Sequence, residues 1–198
     1  MTFYEAALRV LESEGLLKVR RGPSGGYFAA RPDAETIQSA VSAYLETLEM
    51  DREDVTAIAS ALWVEVVRKA AANSSDEARA ILEGFRKRIA SLKPNASFTQ
   101  IRKLDLESRK AIFDITNSRY IELIFDINMA FASRTFPLPE EDESAEHVHF
   151  VGTWRDAKVM ELTAIADQDV ELAAIAARYV RKVWHDRIWA RRRKDLSQ

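Results

Sequence analysis

Apolar residues recur every three or four positions along most of this chain, the spacing that lines one face of a helix. Residues 34–49 carry Ile37, Val41, Tyr44, Leu45 and Leu48 in that register. Residues 53–72 continue it with Val55, Ile58, Leu62, Trp63 and Val66, and 76–92 with Ile81, Leu82, Phe85 and Ile89. Further helices are predicted over 98–116, 119–131, 145–166 and 168–194, the last burying Leu172, Ile175, Ala176, Tyr179, Val183 and Trp184. Breaks fall where capping and turn chemistry sits: Asn73-Ser74-Ser75-Asp76, Lys93-Pro94-Asn95, Asn117-Ser118 and the acidic, proline-bearing stretch 137–143.

The first thirty residues differ. Leu8, Leu11 and Leu16 are spaced for one buried helical face, and Gly15 stands where a helix needs a left-handed C-terminal residue. Leu17-Lys18-Val19-Arg20 can form a strand, the run from Arg21 to Gly26 is turn chemistry, and Tyr27-Phe28 returns as a partner strand. Pro32 biases Arg31 away from helix, and Asp33 is a good N-cap, so a domain boundary is expected between 1–31 and 32–198. The fold class is then mainly α: an antiparallel bundle of six or seven helices preceded by one helix and a β-hairpin, a partial winged helix.

Composition narrows the function classes. There is no cysteine, which excludes disulfides and thiolate chemistry. The 29 basic and 31 acidic residues give a net charge of -2, which argues against a globally basic nucleic-acid binder but not against a local basic patch. No apolar run approaches a membrane span, and the N-terminus has no signal-peptide pattern, so a cytoplasmic protein is expected. No P-loop, GxGxxG or GxSxG motif is present, and no enzyme activity is expected.

Ala7-Leu8-Arg9, Leu11-Glu12, Glu14-Gly15-Leu16, Arg20-Arg21-Gly22 and Gly26-Tyr27-Phe28 resemble, in order, the recognition helix and wing of the GntR family of bacterial transcription regulators. A helical domain following such a wing resembles the FadR subfamily with its FCD effector domain. Ala30 to Asp33, Asp105-Leu106-Glu107, Asn117, Ala164-Ile165, Asp169 and Ala173 fall at positions that pattern favours. The resemblance implies a ligand-responsive regulator, a homodimer whose bundle binds a small metabolite, an acyl-CoA or an organic acid. It also implies DNA contacts from Arg20, Arg21 and Gly22. The family's two preceding helices have no counterpart in this sequence, and Glu5 stands where the family usually has a DNA-contacting arginine. DNA binding by this chain is therefore expected to be weak or lost, and the alternative is a helical ligand sensor or interaction module that does not bind DNA.

Many FCD domains hold a divalent metal with an aspartate and three histidines. Asp105 matches the aspartate, but the histidine positions fall at Ser108 or Arg109, near Lys158 and near Val180. A cationic side chain there repels a cation, so no metal and no other cofactor is expected. The region 57–65 also lacks the arginine that often holds an effector carboxylate. Arg109 and Lys158 are candidates to replace it, with Asp105 the natural partner of Arg109 at i, i+4. The tail from Ile188 to Leu196 is similar to that of the acyl-CoA-binding members of the subfamily, which would set Trp189 and Lys194 toward a coenzyme. His185 completes the candidate effector residues. His147 and His149, at i, i+2, are expected at the surface.

Overall fold

The computed structural model describes residues 3–23, 25–48, 50–135 and 144–195, without the side chains of residue 52 and residues 188–195. The predicted acidic loop at 137–143 lies outside the described residues. The elements, in order, are α1 (Phe3–Ser13), β1 (Leu17–Arg20), β2 (Gly26–Ala29), α2 (Ala34–Glu46), α3 (Arg52–Ala72), α4 (Asp76–Ala90), α5 (Phe98–Thr116), α6 (Arg119–Thr135), α7 (Ala145–Ala166) and α8 (Val170–Asp195). The chain is a mainly helical bundle with a small antiparallel hairpin near its N-terminus.

Side-chain caps set where these helices begin. The side chains of Asp33, Asp51, Ser75, Ser97 and Ser144 accept from backbone N–H groups of the following turn. Ser97 and Gln100 complete a reciprocal capping box at the start of α5. Asn117 ends the same helix in the left-handed conformation, φ 48°. The α7–α8 turn is fastened to the α3–α4 turn by Gln168 Nε2, which donates to the Ser74 carbonyl at 2.6 Å.

Helix α3 is the hub. It packs on α5, α6, α7 and α8, while α4 lies on α5 and α7, and α2 on α6. One aromatic group joins Trp63, Phe113 and Phe125, and another joins Phe98, Phe150, Trp154 and Trp184. Between α3, α7 and α8 the core is built largely of alanine: Ala59, Ala70, Ala157, Ala164, Ala173, Ala176 and Ala177 are all buried.

Several sequence expectations are corrected here. On α8 the residues expected inside, Leu172, Ile175 and Tyr179, face outward, and the buried arc runs through Ala173, Ala176, Ala177, Val180, Val183 and Trp184. Ile58 and Ile81 are likewise exposed. The stripe predicted over 34–49 is only partly covered, since Ile37 and Tyr44 on α2 and Leu48 just beyond it are exposed. Helix α1 buries no residue at all, so Leu8, Leu11 and Leu16 do not form a buried face among the described residues.

Candidate functional site

Five charged side chains share the interior between α3, α5, α7 and α8. Lys158 on α7 is fully buried, as is Glu161 one turn later. Lys158 Nζ lies 2.6 Å from Glu161 Oε2 and 3.7 Å from Asp105 Oδ1 on α5. Lys158 and Glu161 form a buried ion pair, in which each charge offsets part of the other's desolvation. Glu161 Oε1 accepts from the indole Nε1 of Trp63 on α3 at 2.7 Å. The Lys158 ammonium also sits 5.0 Å from the centre of the Trp63 ring. A cation, two carboxylates and an indole are thus locked together where a purely structural bundle would place apolar side chains.

Two guanidinium groups border this cluster. Arg109 on α5 lies over the Phe125 ring, 5.2 Å from its centroid. Arg181 on α8 donates from Nε to Ser60 Oγ on α3 at 3.5 Å, the limit of a hydrogen bond. Burial pushes the Arg181 guanidinium below its ordinary pKa, and the positive charge of Arg109 adds to that, while Asp105 and Glu161 oppose it. On α6, burial raises the Asp126 carboxyl above its ordinary value; Arg109 and Lys110 oppose the rise, and Glu122 adds to it.

The structure therefore brings Asp105, Lys158 and Arg109 to one region. It corrects the expected pairing, however. Asp105 is taken by Lys158 across helices rather than by Arg109 along its own helix, because the ammonium is fully buried and draws the carboxylate to it. His185 lies one turn beyond Arg181, its ring 39% exposed and its Nδ1 3.5 Å from Asp186. The side chains of Trp189 and Lys194 lie outside the described residues. His147, expected at the surface, is buried: a ring nitrogen, Nε2, is 2.8 Å from the Ala96 carbonyl oxygen, and the ring packs near Phe150. His147 stands in the first turn of α7, where its backbone N–H donates to the Ser144 hydroxyl at 3.2 Å and its ring turns inward, while His149 stays exposed.

Sequence reasoning missed Glu161, Trp63, Ser60 and Arg181. The Lys158–Glu161 spacing of i, i+3 was a usable signal for an intrahelical pair. Trp63 and Glu161 are separated by 98 residues, and nothing local links them. The surface groove between α7 and α8, lined by His149, Phe150, Thr153, Tyr179 and Val183, contains none of these residues. Among the described residues no three His, Cys, Asp or Glu side chains are grouped to hold a metal ion, and no helix is long and apolar enough to cross a membrane.

The hairpin residues sit apart from this cluster. Arg20 ends β1 opposite Gly26, with its guanidinium 4.9 Å from the centre of the Phe28 ring. Arg21 is exposed at the start of the turn, and Gly22 has φ 115°, a conformation side chains rarely adopt. Gly25 N–H donates to the Gly22 carbonyl at 2.8 Å and closes the turn.

These features define a class, a helical bundle with a charged interior and a basic-tipped hairpin. The chain matches no protein-family model, and no curated protein matches it.

Proposed function

We propose that this chain is a ligand-responsive transcription regulator of the GntR type, whose helical domain binds a small metabolite and whose hairpin contributes to DNA contact. The observation that carries the reading is the charged interior. Burying Lys158, Glu161 and much of Asp105 costs desolvation energy that an apolar core would not, and such clusters concentrate at binding sites. Glu161 is held by Lys158 and Trp63, with Asp105 beside the same ammonium. Such an arrangement supports ligand binding.

The DNA part of the proposal rests on the exposed Arg20 and Arg21 beside a turn that Gly22 and Gly25 keep narrow. Arginine at such a tip suits phosphate or a narrow minor groove. In this reading the regulator is a homodimer, and ligand binding alters the fit of two hairpins to two half-sites. Exposed Glu5 on α1 favours the second reading, a ligand sensor that does not bind DNA, because a carboxylate repels phosphate.

Fluorescence anisotropy with duplex DNA across a salt series separates the two. The regulator reading expects weak binding whose log–log salt slope becomes shallower by about 2 in the Arg20→Ala/Arg21→Ala variant, roughly 0.9 per lost phosphate contact. Identical slopes for the wild type and the variant contradict the DNA role of the hairpin.

A further inference from the structure

Helix α8 is apolar on two faces. Its inward face is built mostly of alanine and packs on α3 and α7, while its larger side chains, Leu172, Ile175 and Tyr179, point outward, 40%, 55% and 43% exposed. At i, i+3 and i+7 they form one stripe with the spacing of a helix–helix seam, unlike apolar residues scattered singly over a surface. The groove that Tyr179 shares with α7 is lined by Val148, Gly152 and Met160. A side chain at Gly152 would meet nothing within 4 Å, so the groove is open there. The inner face of α8 already secures the helix to the bundle, and the outer stripe is left for another surface.

The charges beside the stripe are sorted by sign along the helix. Asp167, Asp169 and Glu171 stand exposed at or just before its N-terminus, and Arg178 and Lys182 stand exposed toward its other end. Glu171 is held only loosely, at 3.6 Å from Arg68 on α3, and both groups are open to water. Arg178 has no ion pair among the described residues, and the residues at i+3 and i+4 from it, Arg181 and Lys182, are also cations. Glu171 and Arg178 are two helical turns apart, roughly 10.5 Å along the axis, too far to pair within one chain.

A second α8 laid antiparallel on the first, with the two-fold axis beside Ile175, removes that separation. Glu171 of each copy then stands opposite Arg178 of the other, and the same register brings Lys182 opposite Asp167. An isologous contact makes every such pair twice. A parallel arrangement would instead set Glu171 against Glu171 and Arg178 against Arg178. We infer that the outer face of α8, with the adjoining groove of α7, is the surface on which two copies of this chain pair. This pairing rests on the homodimeric reading given above and names the face that forms the dimer. The occupant is a second copy because the two signs flank Ile175 almost symmetrically, so the helix is complementary to itself.

The test is sedimentation equilibrium of the full chain, with helix content followed by circular dichroism. Wild type is expected to show a reversible monomer–dimer equilibrium. Ile175→Asp sets two carboxylates against each other at the axis and is expected to weaken dimerisation about a hundredfold or more. Its helix content is expected to stay unchanged, because Ile175 is exposed in the single chain. Glu171→Arg and Arg178→Glu are each expected to weaken the dimer about tenfold to a hundredfold, since each turns two attractive pairs into two repulsive ones. The double reversal is expected to return it to within about threefold of wild type, a rescue that the separation along the helix forbids within one chain. Added salt is expected to weaken the wild-type dimer and to strengthen that of each single reversal.

The face assignment is overturned if Ile175→Asp or either single reversal dimerises as tightly as wild type, or if the double reversal is at least as weak as the weaker single one. In those cases the copies pair elsewhere, this stripe serves a different protein, and the homodimeric reading stands. A wild type that is monomeric at every concentration overturns both.

Discussion

The N-terminal helix and the bundle use the same amphipathic spacing and reach opposite results. In the bundle, Trp63, Val66, Leu82, Ile101, Ile112, Trp154 and Ile165 are all buried. In α1 no residue is, and Phe3, Tyr4, Val10 and Leu11 stand exposed among the described residues. An apolar stripe stabilises a helix only where another surface covers it, since propensity alone barely holds eleven residues. What fixes α1 locally is its junction: Leu16 N–H bonds the Leu11 carbonyl, Gly15 takes φ 68°, and Ala30 N–H bonds the Leu16 carbonyl. The bundle therefore carries the stability of the molecule, and the hairpin unit is the part that opens most easily.

Mutations should expose that contrast directly. Trp154→Ala removes a fully buried ring that meets Trp184 edge-on, and should cost about 3–5 kcal/mol in urea unfolding. Val10→Ala in α1 should stay within about 0.5 kcal/mol. Comparable losses at the two positions would mean that α1 is covered in solution.

The interior charges sharpen the comparison, because their strength depends on the burial that α1 lacks. Glu161→Leu leaves a buried ammonium with Asp105 alone at 3.7 Å, and should cost about 3–5 kcal/mol. Adding Lys158→Met should recover part of this, since removing both charges also removes their desolvation cost. A double variant as unstable as the sum of its two single variants would show that the pair is not coupled.

The smallest effect concerns Asp126. Burial raises its carboxyl above the 3.8 of a free aspartate, so the folded state binds this proton more tightly than the unfolded state. Taking the ionised state as reference, that gain is fully present below 3.8 and is lost as pH rises through the folded-state value. Asp126→Asn should therefore unfold later than wild type at neutral pH and lose its advantage toward pH 3. Parallel stability profiles would mean the carboxyl is not desolvated.

The same contrast explains what was legible in the sequence. Helix existence and the hairpin were readable, because caps at Asp33, Ser75, Ser97 and Ser144 and the glycine-rich turn are local signals. The buried face of α8 was not. Its large apolar residues, Leu172, Ile175 and Tyr179, outweigh alanines in any periodicity, yet α8 packs on both α3 and α7, and only small side chains admit such close approach on two sides. Asp105 and Lys158 were singled out from the resemblance, and Arg109 with them. Their actual arrangement depends on Glu161 and Trp63, which meet only after α3 and α7 have packed. Arg181 carried one faint sign, a charge set among the apolar residues Val180, Val183 and Trp184.

Native mass spectrometry of the protein as purified, followed by gentle denaturation, tests the central claim most directly. The account predicts a dimer whose mass exceeds that of two chains by a small organic molecule, which is lost on unfolding. A bare monomer that carries no small molecule would contradict it.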